Sequence, residues 1–440
     1  MSNNTNHKVE TSIRTLGTAK IDTCIPMCKA VDDSKPMAVT LTADDIENIT
    51  EDHLTIRLQA AGPRSKLYFD PSKTKCAIVT CGGLCPGIND VIRAIVMEAY
   101  HNYNVASVVG IQFGLRGLIP TYQHDFLELT PERVSDIHQF GGTILGSSRG
   151  LQPADEIVDA LERSNINVLF MIGGDGTMKA AETIVQEIDR RGQKISVIGI
   201  PKTIDNDINY VTKSFGFDSA VEKATEAIQC AHVEAVGMQN GIGLVKLMGR
   251  EAGFIAAQST LALKEVNFVL IPESRFYLHG EGGFLPSLEK RLRSRGHAVI
   301  VCAEGAGQEL CPDYGQPDES GNPVLGDICA VLKREIKEYF TGIGMEYGMK
   351  YIDPSYIIRS VPANANDRIY CGFLGQNAVH AAMAGKTGMV VSMLQNRMIH
   401  LPLELVIERR KKLNTNSAYW RSVLESTGQE DFCKMDPGCE

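Results

Sequence analysis

No apolar run in these 440 residues is long enough to cross a membrane. Residues 1–8 are polar with no apolar stretch behind them, so no secretory signal is expected. The 12 cysteines lack the paired spacing of a zinc site; even Cys81 and Cys85 sit in an apolar-to-glycine passage, and reduced thiols are expected. Positive charge is in deficit: 44 Lys and Arg against 53 Asp and Glu give a net −9, which argues against nucleic acid as the main partner. Internal repeats and low-complexity tracts are missing. The final Gly438-Cys439-Glu440 matches no lipidation or peroxisomal signal. A P-loop is missing too, because His380 stands where the first glycine would have to precede Gly385-Lys386-Thr387. These absences leave a cytoplasmic globular protein as the expectation.

Glycine, by contrast, is plentiful: 41 residues, several in tight clusters where backbone can approach a ligand closely. From Lys75 onward short apolar runs alternate with helix-like stretches. Residues 76–80, 105–110, 166–172 and 195–200 read as buried strands, as do 243–247, 267–271 and 298–302. Residues 90–100 and 154–163 read as amphipathic helices. The alternation predicts an α/β fold of two Rossmann-like lobes with mostly parallel sheets, and ligands beyond the carboxyl ends of the strands. Residues 1–72 show little periodicity and read as an extension. Residues 312–323 read as a surface loop, and the tail from Arg409, which holds the only Trp at 420, as helix and loop on the surface.

Four glycine- or acid-rich stretches follow such strands. Cys81-Gly82-Gly83-Leu84-Cys85-Pro86-Gly87 precedes a helix; its N–H groups and the helix terminus suit phosphate oxygens, though a tight structural turn would read the same way. In Gly173-Gly174-Asp175-Gly176-Thr177 the glycines admit phosphates, Asp175 is placed to hold Mg²⁺, and Thr177 offers a hydroxyl and a helix N-cap. The turn from Gly141 ends in Arg149-Gly150, a cation able to neutralise a transferring phosphoryl group. Pro201-Lys202-Thr203-Ile204-Asp205-Asn206-Asp207 offers one carboxylate as general base for an alcohol and another to support Mg²⁺ or the fold; an acidic turn is the plainer alternative.

These runs, with Met248-Gly249-Arg250 and Asp353-Pro354-Ser355-Tyr356-Ile357-Ile358-Arg359, resemble the phosphofructokinase family in order and spacing from about Lys75 to about Val391. The resemblance implies phosphorylation of fructose 6-phosphate at its 1-hydroxyl with Mg-ATP. It assigns the base to Asp205, a hydrogen bond near the reacting group to Thr203, and Mg²⁺ to Asp175. It places Gly83, Arg149, Gly150 and Gly174 to Thr177 at the nucleotide. Ile204, Met248, Gly249, Arg250 and Glu304 fall to the sugar, and Tyr356, Arg359 and Lys350 to the 6-phosphate. Arg149 and Arg250 also serve catalysis. The implied lobes are 73–216, completed by 358–400, for the nucleotide and 217–357 for the sugar phosphate, with a tail from 401 to 440.

Two residues bear on the donor. Pyrophosphate-using members carry a second Asp where Gly176 stands, and Gly176 leaves room for the α-phosphate of ATP. Lys202 points the other way, since pyrophosphate enzymes have Lys there. A flexible Lys can move aside whereas a carboxylate blocks, so ATP is expected. Asn240-Gly241-Ile242-Gly243 lacks the Arg that bacterial relatives lend across subunits, and Tyr356 replaces their His. The chain resembles the plant, trypanosomatid and spirochaete-like branch, and the resemblance implies a homotetramer or homodimer open to allosteric effectors.

Overall fold

The computed structural model describes residues 10–25, 30–38, 57–312, 315 and 324–432. Apart from 312 and 315, the loop expected at 312–323 lies outside the described residues. Two compact units are present: residues 1–203, 208–215 and 362–410 form one, and residues 204–207, 216–361 and 411–440 the other.

The first unit is built on a nine-stranded sheet. Its strands run in the order Met37–Ala38, Arg57–Ala60, Arg397–Pro402, Met389–Leu394, Ser196–Pro201, Val168–Gly173, Lys75–Thr80, Ser107–Ile111 and Phe126–Glu128. The middle five, from Met389–Leu394 to Ser107–Ile111, are parallel, and the flanking strands pair antiparallel. Val168–Gly173 and Ser196–Pro201 are buried at every position, which suits runs of Val, Ile, Leu and Phe covered on both faces. Helices Ile88–His101 and Asp175–Arg190 supply that cover through stripes such as Val91, Ile92, Ile95 and Met178, Ala181, Ile184, Val185, Ile188.

Part of the presumed extension belongs to this sheet. Arg57–Ala60 pairs with Ile399 and His400, and Leu58 is buried. Its four residues are too short for a period to show in sequence, and the partner lies more than 300 residues away.

The second unit holds four parallel strands in the order Phe268–Leu270, His297–Ala303, Gly241–Leu247 and Gly348–Ile352. Phe268, Phe276 and Phe432 meet Phe284 edge-on in its core. The tail forms a helix, as expected, and that helix is packed into the unit. Helix Ala418–Thr427, capped by Ser417, buries Trp420 to 1% exposure, and Gln429 Oε1 accepts from Val269 N at 2.6 Å. Among the described residues no helix is long and apolar enough to cross a membrane.

Candidate active site

Three neighbouring strands of the first unit end level with one another. Thr80 pairs with Ile172, Ile172 with Ile200, and Gly173 with Pro201. Register therefore brings Cys81–Gly83, Gly174 and Lys202 to one edge. Cys81 N donates to Ile172 O at 2.9 Å and Lys202 N to Gly173 O at 2.8 Å. The turn ending in Arg149 joins them: Gly82 N donates to Ser148 O at 3.0 Å and the Ser147 hydroxyl to Gly82 O at 2.7 Å. A Cβ on Gly83 would lie 3.7 Å from an Arg149 guanidinium nitrogen. Arg149 and Gly150 are exposed, and Arg149 has no ion-pair partner among the described residues. Lys202 is buried, with its ammonium on Gly83 O at 2.6 Å. Burial pushes the Cys81 thiol up to about 11, against a nearby backbone hydrogen bond and Lys202, so it stays protonated.

Asp175 opens helix Asp175–Arg190, and its carboxylate accepts from Lys179 at 2.9 Å and Arg410 at 3.4 Å. No local pattern marks Arg410, whereas Lys179 stands at the i,i+4 spacing where a helical ion-pair partner falls. The expected cap is corrected by the structure. Gly174 is the N-cap, and its carbonyl accepts from the N–H of Thr177 and Met178. Thr177 is inside the helix with its hydroxyl folded over Gly173, where a Cβ would come within 2.1 Å. Space around Gly176 is open: a Cβ there meets nothing within 4 Å. Among the described residues no cluster of three or more His, Cys, Asp or Glu exists to cage a metal. A lone carboxylate beside phosphate-binding glycines is nevertheless the donor set Mg²⁺ takes when phosphates supply the rest.

Thr203 closes the same edge, its carbonyl held by the Ser214 hydroxyl at 2.6 Å. Ile204–Asp207 counts with the second unit. There Ile204 is buried, Asp205 is half-buried, and Asn206 takes a left-handed φ of 55°. Asp207 O accepts from Lys411 N at 2.8 Å; burial pulls the Lys411 ammonium down to about 8, with Asp207 opposing.

In the second unit Leu247 pairs with Ala303, so Met248–Arg250 and Glu304 leave adjacent strands together. Glu304 N donates to Leu247 O at 2.8 Å and Gly305 N to Gly249 O at 3.1 Å. Gly249 has φ 135°, and a Cβ on Gly305 would stand 1.9 Å from Arg250 O, so this crossing tolerates only glycine. Burial pushes the Glu304 carboxyl up; Lys246, Arg250 and Arg359 pull it down while Asp353 adds to the rise. Those charges thus share one locality. Lys246 Nζ lies 3.4 Å from Asp353, whose carboxyl burial would raise but Ser355 and Lys246 hold low. Tyr356 is 76% exposed, with the Arg359 guanidinium 4.7 Å over its ring.

Lys350 falls elsewhere. It pairs in register with Gly243, four residues short of Leu247 and so about 13 Å back along the sheet. Its ammonium is 3.9 Å from Glu234. The cation at the carboxyl end is Lys246, which the sequence marks as a charge inside an otherwise apolar strand.

Residues 75–382 match the phosphofructokinase family. The chain belongs to that family. It is 52% identical to an ATP-dependent 6-phosphofructokinase of Borreliella burgdorferi over 85% of each chain. It is 46% identical to ATP-dependent 6-phosphofructokinase 7 of Arabidopsis thaliana, covering 91% of this chain and 81% of that one. With the Trypanosoma brucei brucei enzyme of the same activity it shares 45% identity over 84% of this chain and 76% of the relative. The fold matches the pyrophosphate-dependent phosphofructokinase of Marinobacter aquaeolei with a TM-score of 0.67 at 21% identity, covering 81% of this chain and 92% of that one. At that identity the likeness speaks for the two-sheet α/β architecture alone. In the wider family, then, pyrophosphate and ATP donors share one fold, and donor choice has to be read from side chains.

Proposed function

We infer that the chain is an ATP-dependent 6-phosphofructokinase: it moves the γ-phosphoryl group of ATP to the 1-hydroxyl of fructose 6-phosphate, giving fructose 1,6-bisphosphate and ADP. The observation that carries this reading is the donor edge, where Cys81–Gly83, Gly174–Gly176 and Arg149 converge and the space beside Gly176 is open. Relatives at 45–52% identity bear the same activity in their names.

In this reading Gly83, Arg149, Gly150, Gly174, Gly176 and Thr177 receive the nucleotide phosphates. Asp175 would hold Mg²⁺, which when bound would offset phosphate charge. Met248, Gly249, Arg250 and Glu304 orient the sugar, and Tyr356 and Arg359 take its 6-phosphate. Lys246 replaces Lys350 as the supporting cation there. Asp205 accepts the proton of the 1-hydroxyl as that oxygen bonds to the γ-phosphorus and the bond to the ADP oxygen breaks. Thr203 hydrogen-bonds near the reacting group and Ile204 lines the sugar, while Arg149 and Arg250 stabilise the charge spread over the transferring group. A homodimer or homotetramer in the cytoplasm, responsive to effectors, completes the proposal.

Lys202 favours the second reading, pyrophosphate as donor. Its ammonium sits on Gly83 O, within the loop itself, where it does not narrow the space beside Gly176. A coupled assay of fructose 1,6-bisphosphate formation, run separately with ATP and with pyrophosphate, decides the matter. Product with ATP alone is expected; product with pyrophosphate alone overturns the choice of donor.

A further inference from the structure

The amino ends of the same sheet carry a second concentration of positive charge. Lys386 and Thr387 are fastened to the start of strand Ser196–Pro201: the Ser196 hydroxyl donates to Lys386 O at 2.6 Å and Val197 N to the Thr387 hydroxyl at 3.1 Å. This is about 17 Å along the strand from the donor edge. A cavity of about 440 Å³ opens there, lined among others by Thr15, Gly17, Asp33, Arg64, Ala384 and Lys386. That volume is typical of a small-molecule site.

Two of these side chains are buried cations, Arg64 at 7% and Lys386 at 4% exposure. One carboxylate serves both. Asp33 accepts from Arg64 at 2.7 and 3.0 Å and from Lys386 at 2.6 Å. Arg64 spends further donors on the carbonyls of Ala60 and Gly62. The Lys386 ammonium has three N–H donors and only the one acceptor among the described residues. Other charges at the cavity do not balance it. Asp32 is exposed and engaged by Ser34 and Lys35, and Lys66 is paired with Asp22. Behind the pair lies His400, fully buried, with Nδ1 on Gln59 at 2.9 Å and no partner for Nε2. Burial, and after it the charges of Arg64 and Lys386, hold its imidazole well below the ordinary range, so it adds no charge of its own.

A buried cation without its full complement of acceptors is costly, and an anion entering the cavity would relieve that cost. We propose that this cavity is a second anion site, separate from the donor edge, which takes the phosphate group of a free phosphate ion or a small phosphate monoester on the Lys386 ammonium, with Arg64 behind it. Asp33 is then the built-in competitor that holds the two cations when the site is empty.

The test is calorimetric titration of the full chain with inorganic phosphate and with glycerol 3-phosphate at fixed ionic strength. Lys386→Met should weaken the binding by about ten-fold or more, the loss of a charge-assisted hydrogen bond. Asp33→Asn, which removes the competitor, should tighten it several-fold. Opposite shifts in two variants of one cluster cannot both arise from damaged folding, and phosphate held at the donor edge is indifferent to either change. Tighter glycerol 3-phosphate assigns the site to an ester, and equal or tighter inorganic phosphate to the free ion; both support the site. Affinities unchanged in the two variants, or no binding to the wild-type chain, overturn it.

Discussion

Placing a carboxylate at position 176 tests the donor assignment directly. Gly176 is the second residue of helix Asp175–Arg190, and a Cβ there meets nothing within 4 Å, so Gly176→Asp requires no movement of the fold. An acidic residue in a first helical turn gains about 0.3–1 kcal/mol from the helix dipole. Replacing glycine with aspartate in a helix adds only about 0.1–0.3 kcal/mol, because Asp is nearly as poor a helix former. Repulsion from the neighbouring Asp175 takes back part of this, so thermal stability should be unchanged or slightly higher. ATP binding suffers instead. A new charge about 5 Å from a phosphate oxygen, at an effective dielectric of about 20, costs about 3 kcal/mol. That corresponds to a fall in kcat/KM for ATP of about 100-fold or more. The assay is the coupled measurement of fructose 1,6-bisphosphate against ATP concentration, beside a melting curve of the same sample. ATP kinetics within about three-fold of the wild type, in a variant that melts normally, would refute the placement of the α-phosphate beside Gly176.

Other expectations follow from individual contacts. Asp205→Asn should lower kcat by several orders of magnitude with nucleotide affinity nearly intact, read by steady-state kinetics and ATP titration. Gly305→Ala drives a Cβ to 1.9 Å from Arg250 O; the displaced Met248–Arg250 turn should raise KM for fructose 6-phosphate about ten-fold or more while KM for ATP stays within about two-fold. Trp420→Ala should destabilise the chain by about 3–5 kcal/mol in denaturant unfolding, because the ring is 1% exposed. Asp90 is buried at the head of helix Ile88–His101, and burial pushes its carboxyl up to about 6, with Arg368 opposing. The folded chain therefore holds this proton more tightly than the unfolded chain, whose value is about 4. The resulting stability is full below about pH 4 and is lost as pH rises through about 6. Asp90→Asn has no such titration, so its Tm relative to the wild type should climb across that window; a flat difference would contradict the assignment.

The sequence was most readable where one short segment both makes the strand and ends it at the ligand. Apolar runs at 166–172 and 195–200 locate the strands, and the glycines and acids after them locate the edge. What it hid depends on register and distant pairing. Lys350 looked well placed because it lies a few residues before Tyr356, but pairing with Gly243 sets it well back from the strand end. Lys246 has the favourable position because its strand runs on to Leu247 level with Ala303. Arg410 reaches Asp175 across 235 residues of chain, and no local pattern announces that. The Gly174 cap reads in sequence as a threonine cap because spacing cannot show that the Thr177 hydroxyl turns back over Gly173. Arg57–Ala60 and the Trp420 helix read as peripheral in sequence because each is short and finds its packing far along the chain.

The nine-stranded sheet also sets a schedule for synthesis on the ribosome. Strand Ser196–Pro201 has Val168–Gly173 on one side and Met389–Leu394 on the other, and the second neighbour is encoded 188 residues after Pro201. At a translation rate of about 5–20 residues per second, the wait is about 10–40 s. Throughout it the nascent chain displays one edge of a strand that is buried at every position in the finished fold, the kind of edge that invites wrong partners. The chain between them includes most of the second unit, so that unit has time to collapse while the first still lacks four of its nine strands: Met389–Leu394, Arg397–Pro402 and, because they join the sheet through the latter, Arg57–Ala60 and Met37–Ala38. A chain that ends before Met389 has no strand to cover that edge.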